Sequence, residues 1–160
     1  MFDVRIELFM PRDVLFVRRH GPYAVSAPEA WKTLWGWLHA QGHAGSVKRV
    51  LGVSWDAPDH PAPDTIRYDA CVEMHARVGG DPGINVAEKS LPGGAFAVLT
   101  HEGDYSTLGA RMGEMVDTLL PEKALEPDWS RPAMEVYLND PTGTDGDAPK
   151  RTDICIPIHD

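Results

Sequence analysis

"LGVSWDAP" (residues 51–58) and "MEVYLNDP" (residues 134–141) are the two stretches that decide the fold of this chain. Each is a mainly apolar run followed by a turn that contains Asp and ends in Pro, and the two stand 83 positions apart. In the second stretch Met134, Val136 and Leu138 alternate with polar or aromatic residues. Because successive side chains of a β-strand point to opposite faces, this alternation predicts a strand with one apolar face.

Two further pairs of similar stretches recur at almost the same offset. "VRRHGPY" (17–23) matches "LTHEGDY" (99–105), and "RYDACV" (67–72) matches "RTDICI" (151–156). Matches in the same order at nearly one spacing indicate an internal duplication. They divide the chain into three predicted parts, which are repeat one at about residues 1–76, a connector at about 77–91 and repeat two at about 92–160.

The first repeat contains an amphipathic helix pattern. Ser26 followed by Glu29 is typical of a capped helix N-terminus, and Gly42 occupies the place of a C-terminal cap. Apolar residues at helical spacing predict the face that packs on a sheet: Trp31, Leu34, Trp35 and Leu38. Trp37 lies off this face, so it either faces solvent or covers a loop. A similar pattern at 106–120 predicts the helix of the second repeat, and flanking strands complete two βαββ units. The residues of this helix expected to point inward are Leu108, Met112, Met115 and Leu119.

The predicted fold is therefore α+β, with duplicated βαββ units related by pseudo-twofold symmetry and a ligand cleft between the halves. A βαββ unit covers one face of its sheet with its helix. We therefore expect Met134, Val136 and Leu138 to pack under the helices, while Glu135 and Tyr137 point away from them into the cleft.

The two halves of the predicted cleft differ in chemistry. In the repeat alignment Glu135 corresponds to Gly52, and Tyr137 corresponds to Ser54. One half offers space, and the other offers an anion with an aromatic ring. This asymmetry suits a ligand with a positive or electrophilic end and a flat apolar body, since cations favour both carboxylates and aromatic faces.

Composition bounds the class of protein. A chain of 160 residues with 42% hydrophobic residues is predicted to form a single domain over 1–160. No apolar run approaches the roughly 20 residues of a membrane span, and two cysteines suggest a cytoplasmic setting. The net charge of −9 argues against direct nucleic-acid binding, which depends on Lys and Arg. No pattern predicts a metal or a cofactor.

Read in order, "HGPY", "GVSWDAP", "RYDACV", "GDY", "EVYLNDP" and "RTDICIPI" resemble the GyrI-like small-molecule-binding family and the effector-binding domains of AraC-type and multidrug-sensing regulators. The resemblance implies a duplicated βαββ fold with a ligand cleft, and Glu135 as the polar anchor for lipophilic cations. It also implies two other activities of family members. Some stand-alone members hydrolyse cyclopropane-bearing alkylating toxins, and the namesakes inhibit DNA gyrase through protein contact. With no predicted helix-turn-helix before Phe2 or after Asp160, we do not expect direct DNA recognition.

The candidate ligand-binding residues are Glu135, Tyr137, Tyr23, Tyr105 and Cys71. Tyr23 and Tyr105 take equivalent turn positions, where they either line the rim of the cleft or pack the turns. By alternation Cys71 shares a face with Asp69 and Glu73, which would be the cleft face, although a free Cys on an apolar strand is usually a small hydrophobe. The alternative for Glu135 is an ordinary solvated strand residue.

Three functions remain open on the sequence. The favoured function is a binding protein for lipophilic, cationic or electrophilic small molecules. The second is a hydrolase in which Glu135 serves as the catalytic general base, helped by a pKa that burial would raise. The third is a DNA gyrase inhibitor that acts by protein contact, and a homodimer is a further possible partnership.

Overall fold

A computed structural model describes residues 3–56, 63–139 and 150–159. The predicted turns at 57–58 and 140–141 lie outside these residues. The strands are β1 (Arg5–Phe9), β2 (Arg12–His20), β3 (Val47–Ser54), β4 (Arg67–Met74), β5 (Ala87–Leu91), β6 (Gly94–Glu102), β7 (Ala133–Tyr137) and β8 (Arg151–Pro157). The helices are α1 (Tyr23–Ala40), α2 (Leu108–Glu114) and α3 (Leu120–Glu122), with a π-helical turn (Met115–Leu119) between the last two.

The strands form an eight-stranded antiparallel sheet in the order β1-β6-β8-β7-β3-β4-β2-β5. Its two central strands, β3 and β7, join the N-terminal and C-terminal parts of the chain, and Gly52 lies directly opposite Glu135 in their ladder. The fold is thus a mixture of helices and one large antiparallel sheet, which confirms the predicted α+β class. Within the described residues, no helix is both long and apolar enough to cross a membrane.

The N-terminal cap of α1 differs from the prediction. The helix begins at Tyr23 after Pro22, whose φ of −55° suits entry into a helix, and Ser26 lies one turn inside it. The Ser26 backbone N–H donates to the carbonyl of Pro22, so the residue is already part of the helical ladder. The C-terminal cap is confirmed, because Gly42 has a φ of +74° just after the helix ends at Ala40.

The face of α1 that meets the sheet is centred on Leu34 and Leu38, which are completely buried. Trp37 is also buried, and its indole N–H donates to Asp81 at 3.1 Å, so it covers the segment between β4 and β5. The connector predicted at about 77–91 also contains β5, which pairs with β2, because the antiparallel edge of β2 offers backbone partners that no sequence pattern reveals.

The second helical segment contains a change of helix type. Leu108, Met115 and Leu120 are buried, whereas Leu119, predicted to point inward, is only partly buried. The π-helical turn Met115–Leu119 adds a residue to one turn, which shifts the buried stripe from Leu119 to Leu120.

The assignment of sheet faces is a correction. We call the face of Val50, Tyr68 and Tyr137 the helix face, because these residues pack with Leu34 and Leu38 of α1. The opposite face carries a second buried apolar cluster that contains no helical residue: Val14, Leu51, Val53, Cys71, Leu91, Phe96, Val98, Met134, Val136 and Cys155.

Met134 and Val136 therefore do not pack under the helices, as predicted, and Leu138 lies beyond the end of β7 with 45% of its surface exposed. The prediction assumed that the face without helices would be open. Because both faces are buried, alternation along β7 separates the two faces without telling which one the helices cover.

Candidate functional site

The candidate site is built around Glu135 at the centre of β7. Its neighbours across the ladders are Gly52 of β3 and Ile154 of β8, and all three lie on the helix face. The Tyr137 hydroxyl, two residues along the same strand, donates a hydrogen bond to Glu135 Oε1 at 2.9 Å. Period-two geometry brings these side chains together, since residues i and i+2 of a strand share a face.

A chain of hydrogen bonds continues from Tyr137 to α1. The hydroxyls of Tyr68 and Tyr137 are 3.2 Å apart, and the Trp31 indole nitrogen lies 2.9 Å from the Tyr68 oxygen. An indole N–H can only donate, so the Tyr68 oxygen accepts from Trp31. The Tyr68 hydroxyl is then available to donate to Tyr137, whose own proton points to Glu135. The chain therefore runs in one direction, from Trp31 to the carboxylate.

Aromatic rings surround this chain. The Tyr105 ring lies 5.2 Å from that of Tyr137, and the Trp31 ring lies 5.9 Å from it. The Tyr23 ring meets the Tyr68 ring at 5.9 Å, and 39% of Tyr23 is exposed. All are edge-to-face contacts, the favoured arrangement of aromatic pairs. We call the following residues the Glu135 cluster: Glu135, Tyr137, Tyr68, Trp31, Tyr23 and Tyr105.

The surroundings of Glu135 disfavour its charge. Burial raises the pKa of this carboxyl above its usual range, and the hydrogen bond from Tyr137 opposes the rise only in part. Burial together with the negative charge of Glu135 also raises the pKa of the Tyr68 and Tyr137 hydroxyls. Both phenols are therefore protonated donors at neutral pH.

In the part of the chain that the structure describes, no cationic side chain balances Glu135. Among the residues that the structure describes, no Lys or Arg forms an ion pair with this carboxylate, and its pKa is perturbed only by burial and by Tyr137. An anion whose hydrogen-bond donor among the described residues is a single phenol, next to several aromatic rings, retains the capacity to attract a positive charge. In chemical terms the arrangement suits a cation with aromatic or other flat apolar parts.

The structure brings together four of the five predicted site residues. Glu135, Tyr137, Tyr23 and Tyr105 belong to the Glu135 cluster, and Tyr23 and Tyr105 contact it through their rings. Cys71 does not: it is fully buried in the apolar cluster of the opposite face, where burial raises the pKa of its thiol. The sheet itself thus separates Cys71 from Glu135.

Two residues of the Glu135 cluster were not predicted as site residues. Trp31 was assigned to the helix core, and Tyr68 was not considered. Alternation within β4 places Tyr68 and Ala70 on one face and Cys71 on the other. Choosing the opposite phase of that alternation in the sequence would therefore have selected Tyr68 in place of Cys71.

Other concave regions lie away from these residues. Two surface concavities of about 530 and 470 Å³ run along β5, and neither is lined by a residue of the Glu135 cluster. Across residues 3–56, 63–139 and 150–159, no group of three or more His, Cys, Asp or Glu side chains could hold a metal ion.

The chain is similar to known proteins in both sequence and fold. The chain is 32% identical over 110 residues to a DNA gyrase inhibitor of Pectobacterium carotovorum subsp. carotovorum (strain PC1), an alignment that covers 65% of this chain and 69% of that protein. Its fold matches the EcmrR C-terminal domain with a TM-score of 0.76 at 13% identity, covering 99% of this chain and 98% of that one.

A third similar protein, SAV2435, was solved bound to tetraphenylphosphonium and matches with a TM-score of 0.60 at 13% identity, over 98% of this chain and 94% of that one. At such low identity both solved structures show a shared fold. The GyrI-like small molecule binding domain model matches residues 2–159, which is nearly the whole chain. The chain therefore belongs to the GyrI-like small molecule binding domain family.

Proposed function

We propose that this protein binds lipophilic cations at the Glu135 cluster. The observation that carries the proposal concerns the described residues: the Glu135 carboxylate accepts its hydrogen bond there from a phenol, and no described Lys or Arg neutralises it. A bound cation would supply the missing positive charge, and the rings of the cluster would contact its apolar parts. Membership of a small-molecule-binding family and the tetraphenylphosphonium bound by SAV2435 support the same ligand class.

The exposed ring of Tyr23 supports entry of a ligand from its side of the Glu135 cluster. Tyr23 covers the Tyr68 ring and is 39% exposed, whereas Tyr68 beneath it is buried. Rotation of the Tyr23 side chain would therefore uncover the Tyr68 ring, next to Glu135 and Tyr137, which are already partly exposed. A ligand that takes the place of the Tyr23 ring would keep the edge-to-face contact with Tyr68.

The test is the Glu135→Gln variant with tetraphenylphosphonium as the probe. The substitution keeps the shape and removes the charge, and a hydrogen bond or contact to a charged group is worth about 1.5–3 kcal/mol. Affinity should therefore fall by about ten- to a hundredfold, as measured by calorimetry. Triphenylphosphine oxide, which is neutral, should lose far less affinity.

The matched control is Glu122→Gln, which removes the same charge from an exposed position at the end of α3. Its affinity for tetraphenylphosphonium should equal that of the wild-type protein. Equal affinity in wild type and Glu135→Gln would reject Glu135 as the anchor. It would favour the alternative in which this residue is an ordinary strand carboxylate.

A hydrolase activity is a second candidate, and the raised pKa of Glu135 favours it. A carboxylate with a pKa nearer neutrality is a better general base toward water, and the adjacent Tyr137 hydroxyl holds it in place. In such a reaction Glu135 would take a proton from water as the water oxygen bonds to a carbon of the strained ring. The ring C–C bond breaks, its electron pair passes to the electron-accepting group conjugated to the ring, and Glu135 returns the proton to that product. Mass spectrometry after incubation with a cyclopropane-bearing alkylator separates the two functions, since only a hydrolase converts it to the water adduct.

Inhibition of DNA gyrase is a third candidate, favoured by the name of the Pectobacterium relative. It would require a protein contact in place of a small ligand. A supercoiling assay with purified gyrase tests it directly, and Glu135→Gln should leave any such inhibition unchanged if the protein contact lies away from the Glu135 cluster.

We also propose that the two halves of the sheet are duplicated βαββ units related by a pseudo-twofold axis. Counted from the outside inward, the strand order β2-β4-β3 in one half corresponds to β6-β8-β7 in the other. The aligned residues Gly52 and Glu135 face each other in the central ladder, where such an axis would pass. Superposition of residues 14–74 on 96–158 in a crystal structure should place Gly52 on Glu135.

A further inference from the structure

The ladder partner of Glu135 has no side chain, and the space above it is occupied by the phenols. A Cβ atom built on Gly52 would lie only 2.7 Å from the Tyr137 hydroxyl and even closer to that of Tyr68, with the Tyr68 ring carbon Cζ at 3.2 Å. Carbon and oxygen atoms that are not bonded do not approach so closely. Any side chain at this position would force the two phenols to move.

Backbone conformation is not what requires glycine here. The glycines with φ in the left-handed region are Gly21, Gly42, Gly94 and Gly103, and Gly52 is not among them. It lies in the middle of β3 with ladder partners on both sides, a setting in which glycine is normally unfavourable. Glycine is therefore needed at position 52 for the space above its Cα and not for its backbone conformation.

We propose that Gly52 is a positioning residue for the Glu135 cluster: its missing side chain creates the space in which the Tyr68 and Tyr137 hydroxyls meet, so that their hydrogen bonds reach Glu135. The role in ligand binding rests on the proposed function, whereas the role in ordering the hydrogen bonds does not. In the ladder between β3 and β7, Gly52 lies directly opposite Glu135, so the space left by its missing side chain adjoins the carboxylate.

The first consequence concerns the Gly52→Ala variant. The added methyl group pushes the two hydroxyls apart, which interrupts the chain from Trp31 and weakens the bond from Tyr137 to Glu135. Because that bond lowers the pKa of Glu135, its loss should raise the pKa further. A pH titration of the Glu135 carboxyl by carbon NMR reads this directly, and a residue with a merely structural role would not change it.

The second consequence concerns affinity. With its donor displaced, Glu135 is less able to remain ionised, so binding of tetraphenylphosphonium to Gly52→Ala should weaken by about tenfold. Gly36→Ala is the matched control, because the added methyl group on α1 would meet nothing within 4 Å. In Gly36→Ala, both the titration and the affinity should equal those of the wild-type protein.

A rescue experiment tests the cause. The Tyr68 hydroxyl is the atom nearest to the added methyl group, so Tyr68→Phe removes the closest contact and leaves space into which the methyl group and the Tyr137 hydroxyl can shift. In the Tyr68→Phe background, Gly52→Ala should therefore shift the Glu135 titration much less than it does in the wild-type background. If Gly52→Ala alone does not fold, recovery of folding in the double variant supports the proposal, and an unfolded double variant contradicts it.

Two other results would distinguish a failure of the positioning role of Gly52 from a failure of the proposed function. An unchanged Glu135 titration in folded Gly52→Ala would overturn the positioning role. If the wild-type protein does not bind tetraphenylphosphonium, the proposed function fails with this ligand class. The NMR titration still decides the role of Gly52, because it requires no ligand.

Discussion

Two carboxylates on opposite faces of the same sheet differ in how the protein treats their charge. Asp69, on the opposite face, accepts hydrogen bonds from Arg18 at 2.7 and 2.9 Å and from the Trp55 indole at 2.6 Å, and it pairs with Lys89. Glu135, on the helix face, receives a hydrogen bond from a phenol.

The pKa values follow this difference. Burial by itself would raise the pKa of Asp69, but the hydrogen bonds from Arg18 and Lys89 outweigh it and hold the pKa below its ordinary value. Burial dominates at Glu135 and raises its pKa. Asp69 thus has the partners of a structural ion pair, while Glu135 has no cationic partner among the residues that the structure describes. Removing the charge of Asp69 should therefore destabilise the fold, whereas removing the charge of Glu135 should stabilise it slightly.

The largest expected effect is that of Asp69→Asn. The change leaves Arg18 and Lys89 facing each other without their shared anion, with side chains that are 32% and 19% exposed. Breaking a buried pair costs about 3–5 kcal/mol, and the partial exposure of the cations places the expected loss near the lower end. Urea unfolding measures it, and affinity for tetraphenylphosphonium should be unaffected. A loss below about 1 kcal/mol would show that water already compensates these charges.

The lowered pKa of Asp69 also predicts how the stability of the protein changes on acidification. Because its pKa is lower in the folded protein, the pair stabilises the fold above the ordinary value of 3.8 and this contribution disappears as the pH falls through the folded value. Wild type should therefore lose stability on acidification more steeply than Asp69→Asn. Parallel curves for the two proteins would contradict the assignment of the lowered pKa to Asp69.

Lys89→Met should have an intermediate effect. The Lys89 ammonium pairs with Asp69 and lies 3.8 Å from the centre of the Phe16 ring, while the apolar stem can be replaced by methionine. Arg18 and Trp55 remain as donors, so we expect a loss of about 1.5 kcal/mol by urea unfolding. Lys32→Met, at an exposed position on α1, is the control and should change stability little. Equal effects of the two substitutions would show that Lys89 adds nothing to the Asp69 site.

The smallest expected effect has the opposite sign and concerns Glu135→Gln without ligand. Since the pKa of Glu135 is raised on folding, the protonated form favours the folded state, and this contribution is lost as the pH rises above the ordinary value of 4.5 through the folded value. At pH 7 the variant should be more stable than wild type by about 1 kcal/mol or less. Thermal unfolding across this pH range should show the difference closing toward low pH; a variant less stable than wild type at pH 7 would indicate an ionised Glu135 with an unrecognised partner.

Much of the fold was predictable because its signals are local. Alternation identified β7, and Gly42 marked the end of α1. The strand β5 was not predictable, because its short polar sequence becomes a strand only by pairing with β2. Likewise the buried stripe of the second helical segment depends on a π-helical turn that its sequence pattern does not show.

The sequence by itself determined that Glu135 and Tyr137 share one side of a strand, because period-two geometry is a property of the local chain. It also determined that Gly52 takes the place of Glu135 in the repeat alignment. Only the tertiary structure decided that this side is the helix face, that Cys71 lies on the other, and that Tyr68 and Trp31 complete the hydrogen bonds. These contacts join β3, β4, β7 and α1, which are distant in the chain, and both sheet faces are apolar. The choice between the two faces therefore depends on how the helices and strand edges pack and not on any single stretch of sequence.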